Sequence, residues 1–215
     1  EFEELPEEIS EEFKNQGLSV RRAFNLCRLE LFDQNELEIA ETRRRQDLTV
    51  YFAPNAFEGR VRYSRMPASL RRDVRWFFGS HQNALNTGRE LLYSLRDSEL
   101  VCSAIEKCAD QEIGYLMNDA VLQVQPHLIE QMDPILRCFA GRAEYLMGSF
   151  STADLVKFHG RTDKFSTLYY DDFGKALPEL KLRVKANLRT QKVRYFEYGD
   201  TYRRYLFLKS LFLEE

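Results

Sequence analysis

The segment YYDDF places two carboxylates side by side, Asp171 and Asp172, and the chain continues to Glu179-x-Lys181. Many divalent-metal nucleases hold their cation between an Asp at a strand end and the Glu of a Glu-x-Lys on the next strand. The Lys then steadies the attacking water or the charge of the transition state. Residues two apart on a strand point to one side, so Glu179 and Lys181 have the spacing this chemistry needs. Against it, Pro178 precedes Glu179 and disfavours a central strand. The spacing also arises often by chance, and two acids at a strand end are ordinarily solvated.

The other candidate is a basic strand face. Lys181, Arg183, Lys185, Arg189, Lys192 and Arg194 are interleaved with Tyr195 and Tyr198. Cations in such a row can track a phosphate backbone, and the rings can stack on bases. An outward cationic row also protects an edge strand from unwanted pairing, so composition alone does not separate the two roles. The arginine pairs elsewhere (21–22, 71–72, 203–204) and the triplet at 43–45 read as solvated or locally paired surface.

Other chemistries find little support. The ten glycines form no G-x-G, so no dinucleotide loop, P-loop or glycine-rich cofactor turn is present. No cofactor is therefore expected in this chain, and an S-adenosylmethionine site is not recognisable. No G-x-S-x-G, C-x-x-C or H-E-x-x-H occurs, and no metal ligand set is expected beyond the nuclease alternative. His81, His127 and His159 are far apart in sequence, and nothing nominates a nucleophile–histidine pair.

These side chains must be positioned by elements that the periodicity outlines. Helices are expected over 5–13, 19–32, 36–52, 67–80, 81–95, 98–109 and 134–147, with Pro6, Ser19, Pro67 and Asp133 at starts and Gly79 and Gly148 at stops. AVLQVQ (120–125) is a short extended piece. After about residue 155 the pattern alternates: 165–170, 180–188 and 193–198 read as strands. Leu180, Leu182, Val184, Ala186 and Leu188 are expected to face a core, with Lys181, Arg183, Lys185 and Asn187 facing out. The expected class is α+β, a mostly helical body with a small C-terminal antiparallel β-sheet. Residues 1–156 would form the body, with an acidic N-terminal helix, and 157–215 a basic β segment packed on it as one compact domain.

Charge is unevenly spread. Residues 1–16 carry seven acids against one Lys, residues 157–209 carry thirteen Lys/Arg against six acids, and 17–156 are close to neutral. The basic final quarter points to an anionic partner, DNA or an acidic protein. With 44% hydrophobic residues and no apolar run near the roughly 20 residues a bilayer span needs, a folded cytoplasmic protein without a membrane partner is expected. Cys27, Cys102, Cys108 and Cys138 lie in apolar helical stripes and read as reduced, buried thiols. A first residue of Glu rather than Met hints at a piece of something longer.

Several segments together, LSVRRAF, RRRQDLTVYFAPNAFEGRVRYSRMPASLRRDVRWFFGS, ILRCFAGRAEYLMGSFSTADLVKFHGR and KFSTLYYDDF…LPELKLRVKANLRTQKVRYFEY, resemble the C-terminal region of the bacterial DNA phosphorothioation-associated methyltransferase family. The resemblance covers most of residues 17–213 in order. It implies a domain linked to DNA modification, whose methyltransferase half and cofactor site lie upstream, with DNA or other proteins of the modification system as partners. Activity of this chain alone is then not expected. The family's counterpart of Glu179 is typically apolar, so the Glu-x-Lys is not implied as a shared site. KFHGR keeps Lys157, His159 and Arg161 of a KLHRR-like segment. The closing stretch keeps Lys209 but has Phe207, Leu208 and Ser210 where His, Arg and Glu are implied, which puts the role of that pair in doubt.

Overall fold

Several of the expected helices begin or end on the signals their sequence offers. In the computed structural model, which describes residues 7–31, 33–54, 62–199 and 201–212, the helices are α1 (Glu7–Asn15), α2 (Val20–Leu31), α3 (Gln34–Phe52), α4 (Ala68–Phe78), α5 (His81–Ser94), α6 (Ser98–Asp110) and α7 (Pro134–Met147). Ser19 Oγ accepts from the Arg22 amide at 3.2 Å, Asp97 from Glu99 at 2.9 Å and Asp133 from Ile135 at 3.0 Å, each satisfying an orphan donor of a first turn. Gly79 and Gly148 follow α4 and α7 at φ 72° and 83°, where a side chain would be strained. Leu5, Pro6, Phe32, Leu213 and the 55–61 part of the resembling segment lie outside the described residues.

The chain divides into two compact units, Glu1–Gln46 and Asp47–Glu215. In the first, Ala23 is buried while Phe24, Leu26 and Leu31 are exposed, as is Cys27, contrary to the expectation that all four thiols are buried. Cys108 and Cys138 are buried as expected, and burial pushes the Cys138 thiol up to about 12.

The second unit is built on a six-stranded antiparallel sheet in the order of the sequence: β1 (Tyr115–Asn118), β2 (Val121–Val124), β3 (Leu155–His159), β4 (Lys164–Tyr170), β5 (Leu180–Asn187) and β6 (Lys192–Glu197). The class is α+β, but the sheet is not confined to the C-terminus. Its first two strands come from the middle of the chain, and the expected boundary at 156/157 falls inside β3. Of these two, the second is the extended piece read at 120–125, whereas the first, four residues long, is too short to impose a visible alternation. The 30-residue connection that brings β3 back beside β2 carries α7.

One face of the sheet is covered by helices. Leu122, Val124, Val156, Phe158, Phe165 and Ala186 meet Val101, Ala104, Ile105 and Cys108 of α6 and Leu136, Phe139, Ala140 and Ala143 of α7 in one buried cluster. Phe158 and Phe165 meet edge-on at 5.0 Å, a favourable aromatic geometry. A second cluster joins Leu48 and Phe52 of α3 to Val74, Phe78, Ala84 and Leu85. There Gly88 lets α5 approach the α3 end, because a Cβ would stand 2.6 Å from the Phe52 carbonyl carbon. The opposite sheet face carries a third cluster, Leu155, Leu168, Leu180, Leu206 and Phe212, where the segment after β6 folds back over one end.

The register of β5 departs from strict alternation. Tyr169 pairs with Leu182 but Tyr170 pairs with Leu180, leaving Lys181 as the extra residue. Leu180 is therefore turned away from the helix-covered core that holds Ala186 and Leu188, and joins the third cluster instead. This corrects the expectation that the five apolar residues from 180 to 188 share one face.

Candidate nucleic-acid interface

Directly paired residues of antiparallel strands lie on the same side of a sheet. The face away from the helices is thereby resolved into three rows. Val121, His159, Lys164, Asn187 and Lys192 form one; Tyr115, Gln123, Lys157, Ser166, Lys185 and Arg194 form the next; Leu155, Leu168, Arg183 and Phe196 form the third. No carboxylate stands in any of them. The middle row crosses all six strands, about 24 Å at ~4.8 Å per strand.

The positive charge of this face is not neutralised locally. Arg183 donates to Ser166 Oγ at 3.1 Å. Among the described residues, Lys157, Lys164, Lys185, Lys192 and Arg194 have no carboxylate in ion-pair contact. Burial first, then Arg183, Lys164 and Arg194, lower the Lys185 pKa. Burial and the nearby Lys185, Arg183, Lys157 and Lys164 hold His159 down at about 4, so it is neutral at physiological pH, with Nε2 3.5 Å from Ser166 Oγ. Lys164, Lys185, Asn187, Thr190, Lys192, Arg194 and Phe196 line a shallow hollow of about 330 Å³ toward the β6 edge. Phe196 of that edge strand is exposed on this face, whereas Tyr195, expected among the cations, pairs with Val184 and is exposed on the opposite, helix-covered side.

Of the six cations expected from the sequence, the fold brings Arg183, Lys185, Lys192 and Arg194 together. Lys181, displaced by the bulge, pairs with Glu179 at 2.9 Å, and Arg189 pairs with Asp163 at 2.8 Å in the turn region. Lys157 and His159 belong to the same face as the four, whereas Arg161 turns aside to Asp119. Lys209 donates to the Gly174 and Lys175 carbonyls and lies 5.7 Å from the centre of the Phe173 ring, tying the C-terminal segment to the β4–β5 loop. The sequence pattern marks neither Lys164 nor Gln123, and it places Arg204 in a solvated arginine pair. Gln123, the one polar residue inside VLQV, and the alternation of KFSTLYY were the signals available.

The acids of YYDDF act within their loop. Asp171 Oδ1 accepts from the amides of Glu179 and Asp172 at 2.9 and 2.8 Å, and Oδ2 accepts from Lys175 Nζ at 2.6 Å. The Lys175 hydrogen bond above all holds the Asp171 carboxyl well below the usual range. Asp172 accepts from the Gly174 amide at 2.8 Å. The two carboxylates thus staple the 171–179 connection. Among the described residues, no three His, Cys, Asp or Glu side chains are grouped to hold a metal ion.

Comparison with protein-family models, with curated proteins and with solved structures returned no match. Among the described residues, no helix is long and apolar enough to cross a membrane.

Proposed function

We propose that the chain is a non-catalytic positioning domain that holds a nucleic-acid strand on the open face of its sheet, in the cytoplasm, for chemistry carried out elsewhere. The observation that carries this reading is the set of sheet-face cations, Lys157, Lys164, Arg183, Lys185, Lys192 and Arg194, in rows that contain no carboxylate. Unpaired, partly desolvated cations are costly to maintain, and a polyanion relieves that cost. A sheet presenting cations and an exposed ring suits a single strand, whose bases are free to stack. The resemblance to the phosphorothioation-associated family supports DNA as that strand and a DNA-modification system as the setting. The nuclease alternative built on Asp171, Asp172, Glu179 and Lys181 has less support, because Asp171 and Glu179 are each engaged with a lysine.

The test is fluorescence anisotropy of labelled single-stranded and duplex DNA, with Mg²⁺ or with EDTA, followed by a denaturing gel. Salt-sensitive binding to intact DNA, weakened by Lys185→Glu and Arg194→Glu, is the expected result. Mg²⁺-dependent cleavage would replace this reading with the nuclease. No binding at low or at high salt would leave the cationic face as a dock for an acidic protein.

A further inference from the structure

At one end of the cationic face the segment after β6 closes a cavity of about 270 Å³ against the sheet. That volume lies just below the ~300–1,000 Å³ range of small-ligand pockets. The roof is fixed to the sheet edge: the Leu180 amide donates to the Arg204 carbonyl at 2.7 Å and the Leu206 amide to the Pro178 carbonyl at 3.0 Å. Leu206 and Phe212 are buried, and the Phe212 ring meets Tyr115 edge-on.

The lining is built for an anion. Lys157, Arg183 and Arg204 contribute three positive charges, and no carboxylate lines the space. Gln123 is 3% exposed, yet its Nε2 has no partner, and the buried Nε of Arg183 has none either. An unsatisfied buried donor costs about 1–3 kcal/mol, so two of them beside an unpaired Lys157 ammonium mark a site that a ligand completes. Arg204 is held by its neighbours, donating to Tyr202 Oη at 2.6 Å and lying 5.0 Å from the centre of that ring. The remaining wall is apolar and aromatic, with Tyr115, Tyr170, Tyr205, Phe207 and Phe212 among its lining.

From these features we infer that the cavity is a subsite for one nucleotide, its phosphate held by Lys157, Arg183 and the Gln123 amide and its base against the aromatic wall. The inference rests on the reading of the sheet face as a nucleic-acid surface, since Lys157 and Arg183 belong to both. The nucleotide is either the end of a strand lying along the face or a free mononucleotide, and the chemistry of recognition is the same.

The test is isothermal titration of the whole chain with deoxyadenosine monophosphate, deoxyadenosine and inorganic phosphate, alongside anisotropy with a labelled single strand. The monophosphate should bind about tenfold or more tightly than either part alone, since stacking of one base and the charge contacts each contribute. Lys157→Met and Gln123→Leu should each weaken it by about tenfold while melting cooperatively. Lys192→Glu with Arg194→Glu should weaken the single strand and leave the monophosphate unaffected. Displacement of the bound strand by the monophosphate assigns the site to a strand end, and simultaneous binding assigns it to a free nucleotide. Strand binding without any monophosphate binding would overturn the subsite and spare the sheet-face reading. Monophosphate affinity equal to that of phosphate, or unaltered in folded Lys157→Met, would also overturn it.

Discussion

Replacing Lys157 by Met should make the protein more stable at neutral pH. The ammonium sits in the middle row of the sheet face beside Arg183 and Arg204. Burial above all, and then those two guanidiniums, bring its pKa from an ordinary 10.5 down to about 8. Below pH 8 the folded chain carries the full cost of the buried charge. Above about pH 10.5 the lysine is neutral in both folded and unfolded states and the cost is gone. At about 1.36 kcal/mol per pH unit the difference sets an upper figure of about 3.4 kcal/mol; the partial exposure of the side chain reduces it to about 2 kcal/mol. Met keeps most of the stem and its packing, so little is lost by the exchange. Urea denaturation of both proteins from pH 6 to 10.5 provides the assay, because other titrations cancel between them. The variant should lead by about 2 kcal/mol up to pH 8 and the gap should close toward pH 10.5. A variant that is less stable at pH 7, or a gap independent of pH, would refute the reasoning.

Three further outcomes are expected. His159, held at about 4 against an ordinary 6.5, is neutral in the folded state, so stability is full above pH 6.5 and falls as the pH drops toward 4; His159→Gln should flatten that part of a pH series of thermal melts. Phe158 is fully buried between the sheet and the helices, and Phe158→Ala should cost about 3–5 kcal/mol in denaturant unfolding. Asp171→Ala removes the acceptor of two backbone amides and the Lys175 ion pair, so limited proteolysis should cut first within 171–179, while DNA binding measured by anisotropy stays at the wild-type level.

The helices were legible because their signals are local. Asp133, Pro134 and Gly148 mark α7 at both ends, and Ser19 caps α2 as its position in the sequence suggested. The alternation of β5 likewise announced Arg183 and Lys185 on one side. What stayed hidden depends on pairing between distant segments. Nothing local shows that Gln123 stands opposite Lys157 across a 30-residue connection, or that Lys157 is in turn opposite Ser166. The bulge at Lys181 moved one expected cation out of the row, and Asp163 claimed Arg189. Arg204, read as solvated surface within an arginine pair, lines the cavity because the Leu180 amide anchors its backbone. The acids at 171 and 172 show the reverse case: a spacing with catalytic precedent is satisfied by closing a loop.

The most direct test of the sheet face is the salt dependence of single-strand binding. Six open-face cations, Lys157, Lys164, Arg183, Lys185, Lys192 and Arg194, each meeting one phosphate, give a slope of log Kobs on log[salt] of about −4.2. Exchanging Lys185 and Arg194 for Gln should reduce its magnitude by about 1.4, whereas the same exchange at Lys181 and Arg189, which are committed to Glu179 and Asp163, should leave it nearly unchanged. Equal losses from both pairs, or a slope near zero in the unaltered protein, would contradict the assignment of this face to nucleic acid.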